Sequence, residues 1–203
     1  MRPAPPDGSF DLVLQQRYGL LAGVDEVGRG ALAGPVTVAA VILDPARPVD
    51  GLNDSKRLSP AQRTRLATSL WEQALAWSVT HRGPREIDEM NILEATRAAM
   101  LEAVLALVPA PGAVVCDAVK LSGLPFPSFA EVRADARFCC VAAASILAKV
   151  VRDALMVSWA REIPGYDWGR NKGYGTPAHL DALRRIGPTV LHRRSFSPVR
   201  VLA

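Results

Sequence analysis

Residues 23–36 read GVDEVGRGALAGPV, and the parsing of the whole chain follows from them. Residues 20–27 (LLAGVDEV) are apolar and partly β-branched with no helical period. Residues 36–43 (VTVAAVIL) form a second such run, bounded by Pro35 and by Asp44-Pro45. These are two strands joined by a glycine-rich turn. The acids Asp25 and Glu26 fall within or just after the first strand, where an unpaired charge is costly unless it is paired or bound to a metal. In a regular strand neighbouring side chains face opposite ways, so both carboxylates reach one site only if the strand ends or bulges here. Gly28 and Gly30 make such a break easy. A charged turn closing a strand is the plain alternative, and other carboxylates must decide between them.

Downstream, Ser59-Pro60 is a helix start, and Leu66, Leu70, Trp71, Ala74 and Leu75 recur at helical spacing, predicting a helix over about 60–76. A third strand is expected at 77–82, then a helix over about 85–107 that Pro109 and Pro111 close. Residues 113–117 (AVVCD) are a short strand, and 131–136 a weaker one. Residues 138–162, apolar around most of the circumference and rich in Ala and Ser, predict a buried helix packed closely on a sheet, and a short helix follows near 177–186. The class is mixed α/β.

With 203 residues, 49% of them apolar, the chain suits one domain with a sizeable core. No apolar run approaches the roughly 18 residues that span a bilayer. The N-terminus, MRPAPPDGSF, lacks the features of a secretory signal, so a cytoplasmic protein is expected. Cys116, Cys139 and Cys140 show no CxxC spacing and read as small buried apolar residues. Residues 161–203 carry eight Arg or Lys against three Asp or Glu, so the C-terminal end is the basic one. Such a patch is either a solvated surface or a nucleic-acid footprint.

Asp117 repeats the placement of Asp25 at the end of an apolar strand, and carboxylates at neighbouring strand ends can converge above a sheet. Asp44 competes with it but precedes Pro45, as turn residues do. Asp135 lies just ahead of the buried helix. Carboxylates without His or Cys favour a hard ion such as Mg²⁺ or Mn²⁺ over zinc. Such a site suits phosphodiester hydrolysis with two ions roughly 4 Å apart.

Six blocks, GVDEVGRGALAGPV, DSKRLSP, CDAVKL, AAASILAKVVRD, NKGYGT and HRRSF, occur in an order that resembles the signature of bacterial ribonuclease HII, over about residues 20–196. The resemblance implies a ribonuclease H-like mixed β-sheet flanked by helices, with a core over about 18–160 and a basic helical C-terminal extension over about 161–203. It implies that Asp25, Glu26, Asp117 and Asp135 are catalytic and bind Mg²⁺ or Mn²⁺. The implied activity is cleavage of the RNA strand of RNA–DNA hybrids and nicking of DNA duplexes 5′ to an embedded ribonucleotide, by a protein expected to be a monomer.

Gly28-Arg29-Gly30 matches the family's GRG element, whose glycines let the backbone approach the sugar 2′-hydroxyl. Tyr174 matches the tyrosine that packs on the following deoxyribose. Lys56, Lys172, Arg193 and Arg194 are candidate phosphate contacts. His192 has no ligand spacing and stays outside the metal shell. Two departures stand out: the usual VDG reads CDA at 116–118, and the usual KGD reads RAD at 133–135, so Ala118 and Ala134 replace glycines. Asp153 is a rival carboxylate, better explained by an i,i+4 pair with Lys149.

Two other classes compete. Residues 28–33 fit GxGxxA, the mark of a dinucleotide-binding oxidoreductase, but Pro35 and a β-branched run follow where a helix must open. A non-catalytic basic binding module would leave the strand-end carboxylates unexplained.

Overall fold

The computed structural model describes residues 4–202. Five strands form one mixed sheet: β1 (Leu21–Val27), β2 (Val36–Ile42), β3 (Ala76–Arg82), β4 (Ala113–Asp117) and β5 (Ser128–Glu131), in the order β3-β2-β1-β4-β5. The pairs β1–β2 and β2–β3 are antiparallel; β1–β4 and β4–β5 are parallel. Helix α4 (Ile92–Leu105) covers one face, where Ala99, Met100, Ala103 and Val104 pack on Ala22, Val24, Val38 and Val114. Helices α2 (Pro60–Gln73) and α5 (Cys139–Glu162) cover the other, packing on Ala39 and Val41.

The run of small residues in α5 lets that helix lie flush on β1. A Cβ on Gly23 would stand 2.1 Å from the backbone carbon of Cys140. Ile146 and Leu147 are fully buried there, each contributing about 1.5–3 kcal/mol of apolar burial.

Three predicted elements differ. The helix expected over 85–107 is two helices, α3 (Pro84–Met90) and α4, because Asn91 adopts a left-handed φ of 68° and its side chain caps α4, accepting from the amides of Leu93 and Glu94. The weak strand at 131–136 divides into β5 and a 3-10 turn, Ala134–Ala136, with Arg133 left-handed between them. The helix expected to reach 76 ends at Gln73, and Ala76 already belongs to β3.

The N-terminal segment folds into α1 (Ser9–Tyr18), which the sequence did not signal. Its Asp11 is the cap that α5 lacks in its own sequence: the two carboxylate oxygens accept from the amides of Cys139 and Cys140 at 2.8 and 2.9 Å. Cys116 and Cys140 are buried as expected, and Cys139 is partly buried.

The C-terminal part forms α6 (Trp168–Asn171), α7 (Pro177–Ile186) and α8 (Val199–Leu202). It packs through Tyr166, Trp168, Leu183 and Val199 on Met156 of α5 and on Leu32 and Ala33 of the loop between β1 and β2. Among the described residues no helix is long and apolar enough to cross a membrane.

Candidate active site

The β1–β4 ladder is in register at Val24 and Cys116, so the next residues, Asp25 and Asp117, sit side by side where that pairing stops. On the other edge β1 continues against β2 without a bulge through Val27. The strand therefore ends just past the acidic pair rather than breaking within it, and Gly28, at a φ of 94°, turns the chain away. Alternation puts Asp25 toward the α5 face and Glu26 toward the α4 face, with both projecting beyond the β4 ladder.

Asp25 is buried, and one oxygen accepts from the Glu26 amide at 2.8 Å. Burial, reinforced by the neighbouring charges of Glu26 and Asp117, holds its pKa well above the usual carboxylate range. Burial also raises Glu26, against the opposing pull of Arg29, whose guanidinium donates to Oε1 at 3.2 Å. The other oxygen of Glu26, Oε2, is buried without a hydrogen-bond partner among the described residues. Asp117 accepts from the Ala134 amide at 3.0 Å, which ties the end of β4 to the turn bearing Asp135. Burial and the charges of Asp54 and Asp117 push Asp135 up to about 6, with Lys56 opposing.

Asp117 and Asp135 line an open pocket of about 410 Å³ with Asp54, Lys56, Arg57 and Arg133. The two Gly-to-Ala departures are accommodated. Ala118 takes a left-handed φ of 53° and donates its amide to the Glu131 carbonyl, while Ala134 supplies the amide that Asp117 accepts.

This donor set fits a hard divalent ion. The carboxylates repel one another at the sheet edge, one buried oxygen is unsatisfied, and a cation relieves both. Among the described residues no three Asp, Glu, His or Cys side chains form a ready-made cage. An open rim of this kind suits an ion that keeps several of its waters.

Beside the carboxylates the loop 28–35 is held by two buried arginines. Arg193, expected at a phosphate, is fully buried and donates to the carbonyls of Gly28, Arg29 and Gly34 at 2.6, 2.7 and 3.0 Å. Its guanidinium is committed to holding the GRG loop, which corrects that expectation. Lys172 is likewise turned inward, its ammonium bonded to the Gly169 carbonyl. Lys56 is exposed at the pocket, with its backbone amide on Asp54, and Arg194 is exposed with its amide on Asp88. Gly30 is open, whereas Gly28 lies against Arg152.

Tyr174 is half-buried, its ring 5.4 Å from the Arg152 guanidinium. Asp153 pairs with Lys149 at 2.8 Å. Asp44 instead caps its own turn, accepting from the Ala46 amide at 2.9 Å.

His192 acquires a clear place. The Thr189 amide donates to its Nδ1, so Nε2 carries the proton and donates to His179 Nε2 at 3.1 Å. Trp168 Nε1 donates to the same acceptor, and His179 Nδ1 donates to the Tyr174 carbonyl at 3.0 Å. Both imidazoles are neutral in this network, and burial pushes His192 down to about 4. Sequence reasoning missed Arg152, Asp54, Arg133 and His179. Arg152 alone had a visible signal, a charge in the middle of an Ala-rich helix with no acid three or four residues away to pair it.

Comparison with known proteins identifies the fold and the family. The family model described as Ribonuclease HII matches residues 22–199. The crystal structure of ribonuclease H2 from Pyrococcus horikoshii OT3 superposes with a TM-score of 0.76 at 27% identity, covering 90% of this chain and 96% of that one. Ribonuclease HII from Archaeoglobus fulgidus, solved in a complex with PCNA, gives a TM-score of 0.72 at 25% identity over 88% of this chain and 95% of its own. Bst-RNase HIII, solved in complex with Mn²⁺, shares the fold at 21% identity, with a TM-score of 0.67 over 89% of this chain and 68% of that one. The mixed sheet flanked by helices is thus ribonuclease H-like, and with the family model spanning β1 to the start of α8, this chain belongs to the ribonuclease HII family, nucleases of the ribonuclease H class.

Proposed function

We propose that the protein hydrolyses the RNA strand of RNA–DNA hybrids and nicks DNA duplexes 5′ to an embedded ribonucleotide, with two Mg²⁺ or Mn²⁺ ions held by Asp25, Glu26, Asp117 and Asp135. The observation that carries this is the meeting of two features at one sheet edge: mutually repelling carboxylates with an unsatisfied buried oxygen, and a glycine-rich loop beside them. Divalent ions bound there supply the positive charge that activates water and stabilises the leaving oxygen. Water adds to phosphorus, the bond to O3′ of the preceding nucleotide breaks, and that oxygen leaves as the 3′-hydroxyl while the ribonucleotide keeps a 5′-phosphate.

Residues 28–30 present the backbone to the 2′-hydroxyl, a group that both donates and accepts. Tyr174 packs against the next deoxyribose, where a second hydroxyl would collide. Lys56, which lines the pocket with Asp117 and Asp135, would meet a phosphate in this reading, and Arg194 remains a peripheral candidate. Residues 161–203 supply the basic flank of the binding surface, with Tyr166, Trp168, Leu183 and Val199 packed on the far half of α5. We take the enzyme to act as a monomer in the cytoplasm, whose reducing conditions suit three free thiols.

The test is a DNA duplex containing one ribonucleotide, incubated with protein and Mg²⁺ or Mn²⁺ beside an all-DNA control. A single nick 5′ to the ribonucleotide is expected. Equal cutting of both duplexes, or of neither, refutes the proposal.

A further inference from the structure

Arg152 projects from the middle of α5, is fully buried, and has no salt bridge to a carboxylate among the described residues. Burying an unpaired guanidinium costs several kcal/mol unless its donors are well satisfied. Here three carbonyls from two separate segments satisfy it. Nε donates to Pro35 at 2.9 Å and one terminal nitrogen to Ala33 at 3.1 Å, both in the loop that follows GRG; the other terminal nitrogen donates to Lys172 at 2.9 Å, two residues before Tyr174. The same group stands 5.4 Å from the Tyr174 ring. It also underlies Gly28, where a Cβ would come within 2.2 Å of Nε.

The two segments are joined directly as well, since the amides of Leu32 and Ala33 both donate to the Gly173 carbonyl. A planar fork of fixed geometry suits such a junction, and a lysine, with one flexible point charge, does not replace it.

We propose that Arg152 is a positioning residue for substrate discrimination: it sets the spacing between the Gly28–Gly30 loop and Tyr174, and thereby the preference for a ribonucleotide followed by deoxyribose. This rests on the ribonucleotide-cleaving function proposed above. The arginine's hydrogen bonds go to backbone carbonyls and none to Asp25, Glu26, Asp117 or Asp135, so its loss should alter selectivity rather than only lower the rate.

The measurement is kcat/KM on two substrates, a DNA duplex with one ribonucleotide and a continuous RNA–DNA hybrid, with their ratio as the readout. The wild type should favour the single ribonucleotide. Arg152→Lys should lower that ratio at least about tenfold, since a misplacement of roughly 1 Å can cost up to about a hundredfold. Arg152→Lys combined with Tyr174→Ala should lower it no further than Tyr174→Ala alone. General destabilisation would depress both rates together and leave the ratio standing.

A folded Arg152→Lys enzyme whose ratio stays within twofold of wild type overturns the proposal. If that variant does not fold, Gly173→Ala decides: its Cβ would press within 2.4 Å of the Ala33 carbonyl and part the same two segments. An unchanged ratio there overturns the proposal too. A wild type without any preference overturns the function beneath it, and this inference with it.

Discussion

Gly28 and Gly30 flank Arg29, yet the structure assigns them opposite tolerances to a methyl group. At Gly28 the backbone is left-handed, with φ of 94°, and an added Cβ would lie 2.2 Å from Arg152 Nε and 2.8 Å from its Cδ and Cζ. Gly28→Ala therefore carries a conformational cost of about 1–2 kcal/mol. It also displaces a buried guanidinium, losing at least one charged hydrogen bond worth about 1.5–3 kcal/mol. The sum, about 3–5 kcal/mol, corresponds to a Tm lowered by roughly 6–20 °C in a domain of this size. At Gly30 nothing lies within 4 Å of the added atom, so Gly30→Ala should stay within about 0.5 kcal/mol of wild type. Calorimetry of the two variants side by side, under one metal-free buffer, gives the answer. Equal melting temperatures would show that the loop does not rest on Arg152 as described.

Asp25→Asn should abolish cleavage while leaving duplex binding intact, and in metal-free buffer at neutral pH it should raise Tm, because a carboxyl whose pKa is raised on folding costs stability there that a non-titrating amide does not; turnover near wild type, or a lower Tm, contradicts this. For Asp135 the folded pKa of about 6 lies above the unfolded value of 3.8, so the stability its protonated form contributes is complete below pH about 3.8 and is lost as pH rises through about 6. The Tm of wild type minus that of Asp135→Asn, without metal, should fall across that window, and a flat difference rejects it. Asp11→Ala removes the distant cap on α5 and should lower Tm by roughly 2–8 °C, for a loss of about 1–2 kcal/mol, while turnover at room temperature is unchanged. An unaltered Tm would mean that the cap contributes nothing.

Local patterns made much of the fold legible. The strand runs at β1, β2 and β4 and the apolar girth of α5 follow from period and composition, and the capping box of α2, Ser59 with Gln62, is written in the chain. What escaped depends on long-range partners. Helix α1 has little amphipathic pattern and is held by Asp11 on a helix end 128 residues away. The division at Asn91 turns on one left-handed residue. At the site, Asp25, Glu26 and Asp117 were visible as acids at the ends of apolar strands, and their adjacency needed only the parallel pairing of β1 with β4.

The arginines of the C-terminal half were not so readable. Arg193 and Arg194 are neighbours in sequence, yet one is fully buried on three carbonyls and the other exposed, a difference set by the packing of residues 192–196 against the loop 28–35. Counting charge in that region identifies a basic end without separating what holds the loop from what can face a phosphate.

The central claim is that the carboxylates at the ends of β1 and β4 gather metal around a ribonucleotide. Anomalous diffraction from Mn²⁺ in crystals of the protein with a ribonucleotide-containing duplex tests it most directly. Manganese peaks among Asp25, Glu26, Asp117 and Asp135, touching the phosphate 5′ to the ribose and with the 2′-hydroxyl against residues 28–30, are the expected result. An ordered duplex with no manganese at those carboxylates, or with the ribose seated elsewhere, would contradict it.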